Sequence, residues 1–172
     1  MSSDTKPLVL MDSNRIQRTL KRMAYEIDEK NIDDKSFLLF GIDKRGYAIG
    51  RALGKVLESI ANSNVEALQM RLKNGESDTL FEELDKQRVK DKYILVVDDV
   101  IFSGRTMFGA LNKIAEHLDP PELYTAVMID RGHRKYPIKS EFFGMELPTK
   151  LNEHVSVQIE GEKIERVILV DA

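Results

Sequence analysis

The sequence predicts an α/β fold, a parallel sheet flanked by helices with a small hood, and three observations predict it. Apolar runs at Phe37 to Ile42, Tyr93 to Val97 and Leu123 to Ile129 have the length and continuity of strands buried on both faces. Each run stops at charged residues, and the first two lead through a short turn into apolar residues at helical spacing. Finally, 172 residues, 42% hydrophobic and 32% charged, suit one globular domain with a sizeable core. The expected domain spans residues 1–172, with the hood built from about 131–172 and the N-terminal segment.

Taken in order, Met1 to Pro7 is a polar tail before the short apolar run Leu8 to Met11. Asp12 and Ser13 offer an N-cap, and Ile16, Leu20, Met23, Ala24 and Ile27 recur at helical spacing, which predicts an amphipathic helix from Asn14 to about Glu29. Its other face carries Arg15, Arg18, Lys21 and Arg22, either a solvated face or a surface for RNA or a partner. The strand Phe37 to Ile42 ends in the basic turn Asp43 to Gly46, followed by the helical pattern Ile49, Leu53, Val56, Leu57, Ile60. Val65 to Met70 reads as a further strand, and Arg71 to Lys90 is polar apart from the stripe Leu80, Phe81, Leu84.

The stretch YILVVDDVIFSGRT, Tyr93 to Thr106, organises the rest. A buried strand ending in Asp98 and Asp99 sets two carboxylates at a sheet's carboxyl edge, where ligands of open α/β sheets sit. Ser103, Gly104, Arg105 and Thr106 then open the helix marked by Met107, Leu111, Ile114 and Leu118. Unpaired N–H groups at that start, two hydroxyls and a glycine favour a phosphate. Carboxylates beside an anion cradle are consistent with a sugar phosphate, whose hydroxyls donate to the acids. After the stop at Asp119, Pro120 and Pro121, the third strand ends in Asp130, Arg131, Gly132, His133 and Arg134. Short strand-like pieces at Phe142 to Met145, Val155 to Ile159 and Arg166 to Val170 are expected to make the hood.

The acidic pair, the short apolar stretch and the Ser-Gly-Arg-Thr turn resemble the phosphoribosyl diphosphate (PRPP) motif of type I phosphoribosyltransferases. With GIDKRGYAIGRALGKVL and the DRGHR, PI, FxG and PT elements between Asp130 and Thr149, the chain resembles the PyrR family of pyrimidine operon attenuators that are also uracil phosphoribosyltransferases. That resemblance implies transfer from PRPP to uracil, with Mg2+ on the diphosphate, a homodimer and a bound RNA. It places Asp98 and Asp99 on the ribose hydroxyls and, indirectly, the metal; Ser103, Gly104, Arg105 and Thr106 on the 5′-phosphate; and Lys44, Arg45 and Gly46 on pyrophosphate. The base would lie between Ile129, Asp130, Arg131 and Lys150, Leu151, Asn152. Arg71 would serve catalysis from a lid that includes Leu72 to Asp78, and Arg22, His133, Arg134 and Lys139 are the RNA candidates.

The chain departs from the family's pattern at Met70, Arg71, Leu72 and Lys73, which replace the start of a longer Tyr-Arg-Asp-Asp lid segment. Lys21 to Tyr25 replaces a Thr-Arg-Ile-Ala-His-like run, and Met145 stands where a Lys is expected. Two alternatives stay open: a PRPP-sensing regulator with little turnover, and a receiver-type signalling domain, which also carries an acidic pair after such a strand. A net charge of -3 and pI near 5.7 give no global basic field for nucleic acid. The absence of cysteine excludes disulfides and thiolate metal sites, and no apolar run approaches the roughly 20 residues of a membrane helix. A cytoplasmic protein is expected.

Overall fold

The computed structural model describes residues 6–72 and 79–171. Five strands form a parallel sheet in the order β3 (Val65–Met70), β2 (Ser36–Ile42), β4 (Lys92–Ile101), β5 (Tyr124–Asp130), β6 (Phe142–Glu146). Helices α1 (Ser13–Lys30) and α2 (Asp43–Ile60) share an apolar core with one side of this sheet. The short α3 (Leu80–Glu83) and α4 (Lys86–Val89), together with α5 (Arg105–Leu118), belong to a second core that includes Phe40, Val96 and Val127. Strands β1 (Leu8–Met11), β8 (Lys163–Asp171) and β7 (Glu153–Glu160) form a separate antiparallel sheet, the hood.

The N-terminal helix follows its pattern. The Asp12 carboxylate accepts the Arg15 N–H at 2.8 Å, and all five expected apolar positions, Ile16, Leu20, Met23, Ala24 and Ile27, are buried. On its outer side Arg22 donates through Nη2 to Phe143 O (3.2 Å) and Gly144 O (2.5 Å), covering carbonyls of the edge strand β6. A Cβ on Gly144 would lie 2.5 Å from Met128 O and 2.8 Å from Thr19 Cγ2, so helix and edge strand meet closely there.

Three boundaries differ from expectation. Strand β4 does not stop at Asp98: it stays paired with β5 through Val100↔Ile129 and Ile101↔Asp130, because ladder hydrogen bonds come from the backbone whatever the side chain. Helix α2 starts at Asp43, so Lys44, Arg45 and Gly46 occupy its first turn rather than a loop before it. Phe142 to Met145, expected in the hood, instead extends the parallel sheet beside β5. The expected lid is described only to Leu72 and from Thr79 onward; residues 73–78 lie outside the described residues.

Candidate active site

The carboxyl ends of β2 and β4 lie side by side, and this adjacency builds the site. Asp98 is 8% exposed, and its Oδ1 accepts the Asp99 N–H at 2.8 Å. Burial, and then the neighbouring Asp99 carboxylate, push the Asp98 carboxyl well above the ordinary range; Asp43 adds to the effect. Directly after β2, Asp43 takes a positive φ of 51°, and its Oδ1 accepts the Leu72 N–H at 2.9 Å, tying the segment after β3 to the start of α2. Gly46 lets α2 approach the acidic strand: a Cβ there would sit 2.7 Å from Val97 O and 3.3 Å from Asp98 Oδ1.

A cleft of about 460 Å³ opens above this junction, lined by Asp43, Lys44, Arg45, Asp98, Asp99 and Thr106, with Ile159 of the hood on its wall. Lys44 and Arg45 are exposed on the first turn of α2, and Arg45 Nε donates to Val157 O at 3.2 Å, which docks the hood onto that helix. A second cavity of about 250 Å³ is lined by the Ser103, Gly104, Arg105, Thr106 turn and shares Asp98, Val100 and Thr106 with the first. Acids, basic turn and hydroxyl turn therefore lie along one rim.

The turn itself is shaped for an anion. Gly104 has φ 83°, a conformation that glycine adopts without cost, and Ser103 Oγ accepts the Arg105 N–H at 3.3 Å. The back of the turn is held by N–H groups of Lys135 (2.8 Å) and Tyr136 (3.0 Å) donating to Ser103 O. The first N–H groups of α5 lack carbonyl partners within the helix and sit at its positive end.

The base-side candidates are arranged differently. Ile129 is fully buried in the sheet, paired with Val100 and Met145, whereas Lys150, Leu151 and Asn152 are exposed, Leu151 by 79%. None of these, nor Arg71, is among the residues lining the two cavities. Asp130 is committed internally, accepting from Gly132 N (2.9 Å) and Arg134 Nη2 (2.8 Å). Arg131 is buried: Nε donates to Thr149 Oγ1 (2.9 Å), Nη2 to Glu153 O (2.5 Å), and its guanidinium lies 4.3 Å from the Phe102 ring centroid. Of the RNA candidates, Arg134 spends its guanidinium on Phe102 O, Ile138 O and Asp130, Arg22 on β6, and His133 bonds Thr149 O; Lys139 is exposed.

The sequence reading left four residues of this neighbourhood without a role: Asp43, Phe102, Thr149 and Ile159. Asp43 was signalled by its place at a strand's carboxyl end and Thr149 by the PT element, whereas Ile159 is brought in by the return of the chain through the hood and carries no local signal.

A phosphoribosyl transferase domain model matches residues 10–161. A "Bifunctional protein PyrR" of Clostridium novyi is 36% identical over 159 residues, covering 88% of this chain and 89% of the relative. One from Leuconostoc citreum is 32% identical over 158 residues, covering 88% and 90%. The chain belongs to the PyrR family of phosphoribosyltransferases. The fold agrees: the crystal structure of the hypoxanthine phosphoribosyltransferase of Trypanosoma cruzi superposes with a TM-score of 0.77 at 15% identity, covering 95% of this chain and 96% of that one. Membership in the PyrR family sets aside the receiver-domain alternative.

Among the described residues no three His, Cys, Asp or Glu side chains converge as a metal cage. The carboxylates that line the cleft, Asp43, Asp98 and Asp99, offer oxygen donors alone, which fits a hard cation such as Mg2+ that takes one or two carboxylates and completes its shell with phosphate and water. No helix among the described residues is long and apolar enough to cross a membrane.

Proposed function

We propose that this PyrR-family protein transfers the 5-phosphoribosyl group from PRPP to uracil, releasing pyrophosphate, and that it has a second, RNA-regulatory role. The observation that carries the reading is the single rim on which Asp98 and Asp99, the first turn of α2 and the Ser103 to Thr106 turn converge. Asp99 accepts from the ribose hydroxyls, with Asp98 behind it; the N–H groups and hydroxyls of the turn take the 5′-phosphate. Lys44, Arg45 and the N-terminus of α2 meet the diphosphate.

In the transfer the anomeric C1′–O bond to diphosphate breaks, a C1′–N1 bond to the base forms, and the N1 proton leaves to solvent or to the departing diphosphate. The transition state has oxocarbenium character and negative charge grows on the leaving group, so Lys44, Arg45 and the helix end stabilise it electrostatically. Asp98 and Asp99 would hold Mg2+ only indirectly, through the ligand and water, and the ion would offset the charge of the leaving group. Holding the base in line with C1′ supplies the remainder through proximity. We assign Arg71, directly after β3, a role at the diphosphate.

The base lies between the Ile129, Asp130, Arg131 strand end and the Lys150 to Asn152 loop. RNA contact falls to Lys139, because the guanidiniums of Arg22 and Arg134 and the Nε2 of His133 are engaged within the fold. We also propose a homodimer through the outer edge of β3, since the apolar faces of α1 and α2 are spent on the chain's own core. A cytoplasmic site of action follows from substrates that are charged phosphoesters, and residues 1–172 act as one domain.

The test is a pyrophosphate-release assay with PRPP, Mg2+ and uracil. Release that needs all three supports the reading. PRPP-dependent thermal stabilisation without release with uracil or any other base favours a PRPP-sensing regulator, a reading motivated by the departure at Met70 to Lys73.

A further inference from the structure

A cluster behind the proposed base subsite connects the phosphate turn to the base loop. Phe102, the residue before Ser103, lines the cavity of the turn. Its ring has the Arg131 guanidinium 4.3 Å away and the His133 imidazole 5.2 Å away. Both neighbours then grip Thr149: Arg131 Nε donates to its Oγ1 at 2.9 Å, and His133 Nε2 to its backbone oxygen. Arg131 also donates to Glu153 O at 2.5 Å, and Lys150 N donates to Glu153 Oε2 at 2.7 Å. The exposed Lys150 to Asn152 loop is thus fixed at both ends by groups resting on Phe102.

The chemistry of the cluster favours a rigid device. Thr149 and Arg131 are 5% and 6% exposed. A buried guanidinium that loses a partner pays its desolvation, so the arrangement resists partial opening. His133 adopts φ 60° and Gly132 φ 77°, a backbone course that brings the imidazole back over the loop. A cation over an aromatic face gains strength when withdrawn from water, as here.

We propose that Phe102, Arg131 and Thr149 form a positioning clamp that sets the Lys150 to Asn152 loop relative to the phosphate turn and thereby governs how tightly the base is held, Arg131 and Thr149 lying outside the cavity of that turn. The clamp rests on the site reading given above. Its residues are positioning residues: they act on the base through the loop.

The experiment compares two ligands on the full chain by calorimetry: ribose 5-phosphate, which reports the sugar-phosphate subsite, and whichever of UMP, CMP, GMP and IMP the wild type binds best, which reports the base as well. Thr149→Val removes the hydroxyl acceptor at nearly constant volume, and it is expected to weaken nucleotide binding about tenfold, roughly 1.4 kcal/mol, with ribose 5-phosphate unchanged. Thr149→Ser keeps the acceptor and restores nucleotide affinity. Phe102→Leu, which leaves the Arg131 to Thr149 bond in place but borders the phosphate cavity, is expected to weaken nucleotide binding more than ribose 5-phosphate binding, and it guards against a Thr149→Val chain that does not fold.

Equal weakening of both ligands, unchanged nucleotide affinity in folded variants, or failure of Thr149→Ser to rescue overturns the clamp. A wild type that binds neither ligand overturns the site reading and the clamp with it, a result distinct from any change confined to the variants.

Discussion

Replacing Gly46 by Ala tests the closeness of the basic helix to the acidic strand. The added Cβ would lie 2.7 Å from Val97 O, 3.2 Å from Asp98 Cα and 3.3 Å from Asp98 Oδ1. Two of these neighbours are backbone of a central strand bonded on both sides, so the strand has little room to yield and α2 must move. Overpacking of this kind costs about 1–3 kcal/mol. Gly109, inside α5, has nothing within 4 Å of its own notional Cβ, so Gly109→Ala should instead gain about 0.5–1 kcal/mol from helix propensity. Urea denaturation of the two variants is therefore expected to move midpoints in opposite directions. Because α2 carries Lys44 and Arg45 relative to Asp98 and Asp99, Gly46→Ala should also weaken PRPP binding on the order of tenfold, measured by calorimetry, while Gly109→Ala leaves it unchanged. A folded Gly46→Ala protein with wild-type stability and PRPP affinity would refute the packing argument.

Three further outcomes follow. Tyr93 buries a hydroxyl that has no hydrogen-bond partner among the described residues, so Tyr93→Phe is expected to raise stability by about 1 kcal/mol in equilibrium denaturation; a loss would contradict it. The Asp98 carboxyl is raised on folding, so the folded chain holds its proton to higher pH than the unfolded one, and this group's contribution to stability falls as pH rises above about 4. Asp98→Asn should accordingly gain stability relative to wild type on going from pH 4 to pH 8, and a gap that narrows with pH would reverse the sign. Asp99→Asn should leave the melting curve intact while weakening PRPP binding; unchanged affinity in the folded variant would count against the carboxylate as the ribose acceptor.

Much of the site was legible because its parts are local. An apolar run, two acids and a small hydroxyl turn within 14 residues already imply strand, edge and helix start, and a parallel sheet brings such edges to one side. What was not legible depends on partners far along the chain. Arg22 looked like a residue of a free basic face, yet it covers the carbonyls of a strand 121 and 122 residues away. Arg134 looked equally available, and its guanidinium is folded onto Asp130 and the carbonyl of Phe102. Charge in a sequence says where a cation is, not which backbone oxygen claims it. Phe142 to Met145 was misplaced for a similar reason: a five-residue strand has the same pattern in either sheet, and the choice is made by the room β5 leaves at its edge. The base loop is the least decided element, since its anchors, Arg131 and Thr149, meet only in three dimensions.

The most direct test is a crystal structure with PRPP, Mg2+ and uracil bound. The account predicts ribose hydroxyls within hydrogen-bonding distance of the Asp99 carboxylate, the 5′-phosphate on the N–H groups of the Ser103 to Thr106 turn, and diphosphate against Lys44 and Arg45. A ligand whose phosphate lies elsewhere, or whose ribose turns away from the acidic pair, would contradict it.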